Sequence, residues 1–145
     1  MNLPPIRRGA FSAPLSSAPV DGTLLLQRCG SCHAVQYPPR ERCGQCLADA
    51  LAWETIPGDA TVLATTTLAH SMNAWFSAHL PWRIASLRLD AGPIVFAHLA
   101  ASDAAAGTRL RVAHARDASG AWCLVACAGE LSTFTLQLDQ LGISA

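Results

Sequence analysis

Lysine is absent from this chain. All ten cations among its 145 residues are arginines, and ten acids balance them to a formal net charge of zero. A polyanion is held in bulk by an excess of cations that displaces its counterions, and this chain has no such excess. Charged residues make up only 14% while hydrophobic residues reach 51%, a balance that excludes bulk disorder and supplies ample material for a core. Long apolar runs are missing too. The longest are strand-sized and interrupted by Arg, His or Ser, well short of the roughly 20 apolar residues of a membrane span. The start, Met1 to Arg8, is basic, but Pro14 and Pro19 break the stretch from Gly9 to Val20, so the continuous apolar middle of a secretory signal is lacking. A cytoplasmic protein without membrane association is expected.

Catalytic signatures are equally scarce. The sequence holds no Gly-x-Ser-x-Gly, phosphate loop, dinucleotide fingerprint or His-Glu-x-x-His. Of the five histidines, His33 stands just after a cysteine pair and reads as a surface residue. His98 and His114 fall inside strand patterns and read as hydrogen-bonded structural groups. His70 and His79 bracket residues 71–78 with no ligand or general-base spacing. No catalytic residue is assigned, and the chain is expected not to be an enzyme.

What is present is cysteine in a pattern. Cys29-x2-Cys32 and Cys43-x2-Cys46 stand ten residues apart. Each pair can form a tight knuckle that aims two sulfurs at one point, and two knuckles complete a tetrahedron around Zn²⁺. Gly30 and Gly44 come directly after the first cysteine of each pair, where the missing Cβ eases a turn. Two disulfides or a redox Cys-x-x-Cys are the competing readings. Nothing indicates export, and the βαβ context of a redox pair is absent. Zinc is therefore expected at Cys29, Cys32, Cys43 and Cys46, with iron the rival metal because a Cys₄ set does not exclude it. Cys123 and Cys127 lie on one strand face roughly 13 Å apart, beyond disulfide reach, and read as free core thiols.

Patterning beyond the cysteines is that of strands. Residues 1–20 are rich in Pro, Ala and Ser and read as a loosely ordered arm. Thr23 to Arg28 reads as a strand entering the first pair, and Leu51 to Glu54 as a closing strand, which gives a ribbon over 21–56. Pro57-Gly58-Asp59 marks a boundary. Residues 57–145 hold five strands, at Thr61–Leu68, Trp82–Leu89, Ile94–Leu99, Arg109–His114 and Ala121–Ala126, with turn residues between them. A short helical link at Ser102–Ala106 and a sixth strand at Leu131–Leu138 are further candidates. The reading is a mainly β protein, a zinc ribbon and then a small antiparallel barrel or sandwich. Met72, Trp75, Phe76, Leu80 and Trp82 put aromatic and apolar surface into the 70–80 insertion, where a loop is usually polar. They roof the barrel or contact a partner.

The order Gln27-Arg28-Cys29, Cys32, Pro38-Pro39-Arg40, Cys43, Cys46, Leu51-x-Trp53 resembles the domain-of-unknown-function family 35. The similarity continues through Pro57-Gly58, Thr61-Val62, Leu80-Pro81-Trp82, Asp90-Ala91-Gly92-Pro93 and Gly107 to Val112, about residues 22–127 in all. The resemblance implies a rubredoxin-like zinc ribbon followed by a five-stranded OB-fold barrel. It also implies a non-catalytic accessory or scaffold subunit for a thiolase-like condensing enzyme or a hydratase-like protein, at an acyl-CoA channel. Two departures stand out: Ala60 replaces a glycine of the family pattern, and the family's aromatic-rich N-terminal helix corresponds to the proline-broken Ala10 to Leu15.

With acyl-CoA in view, Trp75, Phe76, Trp82, Arg83, Arg109 and Arg111 are the candidate partner or acyl-CoA contacts, the arginines matching CoA phosphates. The alternative is a single-stranded nucleic-acid binder, with arginines lining a groove and Trp82 and Trp122 as stacking platforms. Over residues 54–145, however, five arginines face seven acids for a net charge of −2, which repels phosphate. A third reading, an acyl-CoA binder with its own hydrolase or transferase activity, lacks a nucleophile–base pair.

Overall fold

The computed structural model describes residues 3–100 and 104–128. Strand β1 (Thr23–Cys29) pairs antiparallel with the short β2 (Val35–Gln36) and with β3 (Leu51–Pro57), forming a three-stranded sheet. Only Gly58 separates β3 from β4 (Asp59–Leu68). The remaining elements are α1 (Ala74–Ala78), β5 (Trp82–Leu89), β6 (Ile94–Leu99), β7 (Arg109–Arg116) and β8 (Trp122–Cys127). The five strands β4-β5-β6-β8-β7 close into a barrel, as the OB-fold expectation required. Its neighbours are antiparallel except β6 and β8, which run parallel.

Alternation explains the barrel. Ala85, Leu87 and Leu89 of β5 face inward, as do Val95, Ala97 and Leu99 of β6, and all are buried. Leu110 and Val112 of β7 join them, so residues two apart fill one interior. Leu24, Leu26 and Ile56 of the ribbon belong to the same core. Ribbon and barrel thus share one apolar interior. On the other face of β7 and β8, Ala113, Ala115, Cys123, Val125 and Cys127 form a second buried cluster. Cys123 and Cys127 are free, and burial pushes each thiol up to about 12.

The turn expected at Pro57-Gly58-Asp59 is a near-continuous crossing from ribbon to barrel. A Cβ on Gly58 would lie 1.7 Å from the Val112 carbonyl oxygen, while the Gly58 carbonyl accepts from Val112 N–H at 2.8 Å. Glycine is required there for close approach of two backbones. His114 adds a second joint: its Nε2 accepts from Leu25 N–H at 3.0 Å, tying β7 to β1.

The 70–80 insertion carries a helix that strand patterning did not anticipate. Asn73 caps it by accepting from the N–H groups of Trp75 and Phe76, a cap geometry that satisfies otherwise orphaned donors. Ala104–Ala106 carry no helix, and Ser102 and Asp103 of that expected link lie outside the described residues, as does the sixth-strand candidate at Leu131–Leu138. In the arm, a 3₁₀ helix at Ala13–Ser17 is the one helix among its described residues. Leu15 is fully buried. Arg8 donates to the Trp122 carbonyl at 2.8 Å and pairs with Asp117 at 2.9 Å, and Arg116 donates to the Ser16 and Ala18 carbonyls. The arm is thereby pinned to the barrel.

Candidate metal centre and aromatic cluster

The two cysteine knuckles are built alike. Cys29 N–H donates to the Ala34 carbonyl and His33 N–H to that of Cys29; Cys43 N–H donates to Ala48 and Leu47 N–H to Cys43. Ser31 N–H and Gln45 N–H each point at the first sulfur of their knuckle, at 3.4 Å. The left-handed residues that reverse the chain are His33 (φ 61°) and Leu47 (φ 63°), each four positions after the first cysteine. The turn freedom assigned to Gly30 and Gly44 therefore lies elsewhere. Gly30 serves close approach instead, since its Cβ would sit 3.3 Å from the Ala50 carbonyl oxygen.

All four sulfurs lie within 4.8 Å of one another. Cys29 and Cys46 are 3.6 Å apart, as are Cys32 and Cys43. A tetrahedron of Zn–S bonds of about 2.3 Å sets its sulfurs about 3.8 Å apart, so the donor set fits zinc. Backbone N–H groups of Cys46 and Gln45 hold the Cys43 thiol down at about 6, and those of Cys32 and Ser31 lower Cys29. Ala34 N–H favours a thiolate at Cys32, yet desolvation and the neighbouring sulfurs push that group up to about 12. Four sulfurs this close cannot all ionise without a cation among them, and a divalent ion removes the opposition.

Gln27 explains why Gln-Arg-Cys and Pro-Pro-Arg occur together. Its buried side chain donates to the Arg40 carbonyl at 3.0 Å and accepts from Arg40 N–H and Gln36 Nε2, both at 2.8 Å. Gln36 in turn accepts from Gly44 N–H at 2.9 Å. These amides clamp the segment between the knuckles, whose prolines leave backbone groups without ladder partners.

Trp75, Phe76 and Trp82 are brought together. Trp75 meets Phe76 edge to face at 4.9 Å between centroids and Trp82 at 5.5 Å, and stacks on His79 at 4.2 Å. Trp82 donates from Nε1 to His98 Nδ1 at 2.9 Å. Trp75 and Trp82 are 7% and 5% exposed, so they form the base of the cluster, with Phe76 half-buried above. The arginines are dispersed. Arg109 grips Asp90 with two bonds of 2.7 Å, and Arg111 lies 3.7 Å from Asp59. Arg83 is half-buried on β5. A nucleic-acid groove draws no support from this arrangement: Trp82 is buried, Arg8 covers the Trp122 ring at 5.6 Å, and Arg109 and Arg111 face carboxylates.

Sequence reasoning passed over Phe96, Tyr37 and the Arg8–Asp117 pair. Phe96 had a signal: Ile94 and Phe96 alternate outward from a strand whose other residues face the core, and Phe96 is 71% exposed. Arg8 and Asp117 are 109 residues apart, a separation at which no local pattern operates.

The ChsH2 rubredoxin-like zinc ribbon domain matches residues 16–52, and the ChsH2 C-terminal OB-fold domain matches residues 53–114. The chain belongs to the ChsH2 family. The family's ribbon agrees with the Cys₄ geometry, and zinc is the metal of this centre. A solved chain described as "Ltp2-ChsH2(DUF35) aldolase" shares the fold with a TM-score of 0.65 at 19% identity, over 86% of this chain and 97% of its own. No curated relative matches the sequence. The aldolase finding overturns the expectation that the chain is not an enzyme, because the solved chain with this fold is described as part of one. That expectation had rested on missing motifs, and a chain that works within a complex need not carry a complete motif by itself. Among the described residues no helix is long and apolar enough to cross a membrane.

Proposed function

We propose that this chain is a subunit of a cytoplasmic acyl-CoA enzyme of the aldolase kind, assembled with a thiolase-like or hydratase-like partner. ChsH2 family membership and the fold shared with a ChsH2-containing aldolase support this reading. The observation that carries it is the apolar surface beside α1. Phe96 and Ile94 stand 71% and 43% exposed on the outer face of β6, and Met72, just before α1, is wholly exposed. Exposed aromatic and methionine side chains over a rigid base are what a partner's apolar surface meets.

In this proposal an arm of residues 1–20, a ribbon of 21–56 and an OB domain of 57–145 have separate tasks. Zinc fixes the shape of the ribbon. Trp75 and Trp82 hold Phe76 in place for contact, and Arg83, Arg109 and Arg111 offer cations to CoA phosphates once Asp90 and Asp59 exchange partners. Capture of the tagged chain from its native lysate, followed by mass spectrometry, tests the reading. A stoichiometric enzyme of CoA metabolism is the expected result. Recovery of nucleic-acid machinery, or of no partner at all, would sink it.

A further inference from the structure

Beneath the arm, on the outer face of the barrel, lies a cavity of about 340 Å³. This is at the lower end of the roughly 300–1,000 Å³ typical of small-molecule sites. Phe76, Ile84 and Phe96 wall it from α1, β5 and β6, Trp122 from β8, Tyr37 from the ribbon, and Pro4 from the arm. Three separate parts of the chain converge on one apolar space.

Its polar groups are unequal. Arg8 and Asp117 line the cavity, but they neutralise each other. Arg8 also donates to the Trp122 carbonyl, and the second Asp117 oxygen accepts from Ser119 and Ala121. They present no unpaired charge. His98 differs. Because its Nδ1 accepts from Trp82, the neutral ring carries its proton on Nε2, and desolvation lowers its pKa and keeps it neutral. That Nε2–H has no acceptor among the described residues. The Nε1–H of Trp122 is buried with no partner among the described residues and is closed off from the cavity, so His98 supplies the donor.

An apolar space with a hydrogen-bond donor and no free charge among its described lining residues selects by exclusion. A carboxylate or phosphate would leave water for a site whose one described cation, Arg8, is already paired with Asp117. A pure hydrocarbon would leave that donor unsatisfied. We propose that this cavity binds an uncharged apolar molecule bearing a carbonyl-type oxygen, seated against Phe76, Phe96 and Trp122 and hydrogen-bonded from His98 Nε2–H. The test uses the isolated chain, so its outcome does not depend on any partner enzyme.

Titration of the zinc-loaded full chain by calorimetry and tryptophan fluorescence tests this. The probes are a medium-chain methyl ketone, the alkyl chloride and the carboxylate of equal length, and free CoA. Saturable one-to-one binding of the ketone is expected, with the chloride about tenfold weaker for want of one good hydrogen bond. The carboxylate should bind more weakly still, and CoA should not compete. In His98→Phe the ketone should fall to the level of the chloride. In Ile84→Trp, which fills the cavity, binding of both should disappear while zinc content and circular dichroism hold. The wild-type comparison stands even if a variant fails to fold. Equal binding of ketone and chloride, a carboxylate as tight as the ketone, competition by CoA, or no saturation by about 1 mM would each overturn the proposal.

Discussion

The ribbon and the barrel reach order by opposite means. Between Gly30 and Ala50 most residues are exposed and the one buried residue is the ligand Cys43, with the half-buried strand Val35–Gln36 beside it. Twenty residues with so little apolar burial cannot offset their own conformational entropy, so knuckle hydrogen bonds, the Gln27 clamp and the metal must do so. The barrel is the reverse case. Val62, Leu87, Leu89, Val95 and Val112 are almost completely buried, and closure leaves its strands without a free edge. A ligand set holds one region and a core holds the other, yet β1 and β3 contribute Leu24, Leu26 and Ile56 to the barrel's interior.

The sharpest way to break this comparison is to remove the metal. Cys43→Ser should abolish zinc binding and strip amide protection from residues 29–50, while β5 to β8 keep theirs; hydrogen exchange with metal analysis reads both. Loss of protection throughout would mean that the shared core, not the metal, is the principal tie.

Gly58→Ala strikes the crossing between the regions. A methyl group cannot occupy the space held by the Val112 carbonyl, so at least about 3 kcal/mol of stability should be lost in urea denaturation. A loss below about 1 kcal/mol would show that β4 and β7 separate easily.

His114 gives the joint a pH dependence. Burial, chiefly desolvation, brings its pKa down from 6.5 to about 4. Between those values the unfolded chain takes up a proton that the folded chain refuses, so stability falls as pH drops from 6.5 towards about 4. The full loss, about 3 kcal/mol, is reached below the lower value. His114→Gln keeps an acceptor for Leu25 N–H and should flatten that part of the curve at matched zinc occupancy. An unchanged slope would assign it to other groups.

The smallest effect is expected at Leu47, 70% exposed with a φ of 63°. Leu47→Gly should stabilise the ribbon by up to about 1 kcal/mol, because relief of left-handed strain outweighs the added freedom of the unfolded chain. Destabilisation in thermal melts would mean that this leucine packs usefully.

Legibility split along the same divide. The metal centre could be read because ligand chemistry fixes spacing, and the barrel strands because alternation and turn residues are local. The joints could not. Nothing near Gly58 announces a backbone passing within hydrogen-bond reach, His114 looks like any inward strand residue, and the Arg8–Asp117 pair closes over 109 positions. Helix α1 is only five residues long, too short for a helical period, and Asn73 was its sole signal. The expectation of no enzyme rested on missing motifs, and it was overturned by comparison with a solved chain described as an aldolase rather than by any residue pattern.

The most direct test of the central claim is reconstitution. The captured partner should be assayed for acyl-CoA carbon–carbon cleavage alone and with this chain added in zinc-loaded form. The account predicts that turnover depends on the chain and saturates at a fixed stoichiometry. Full activity of the partner alone, or none of the two together on any acyl-CoA, would contradict it.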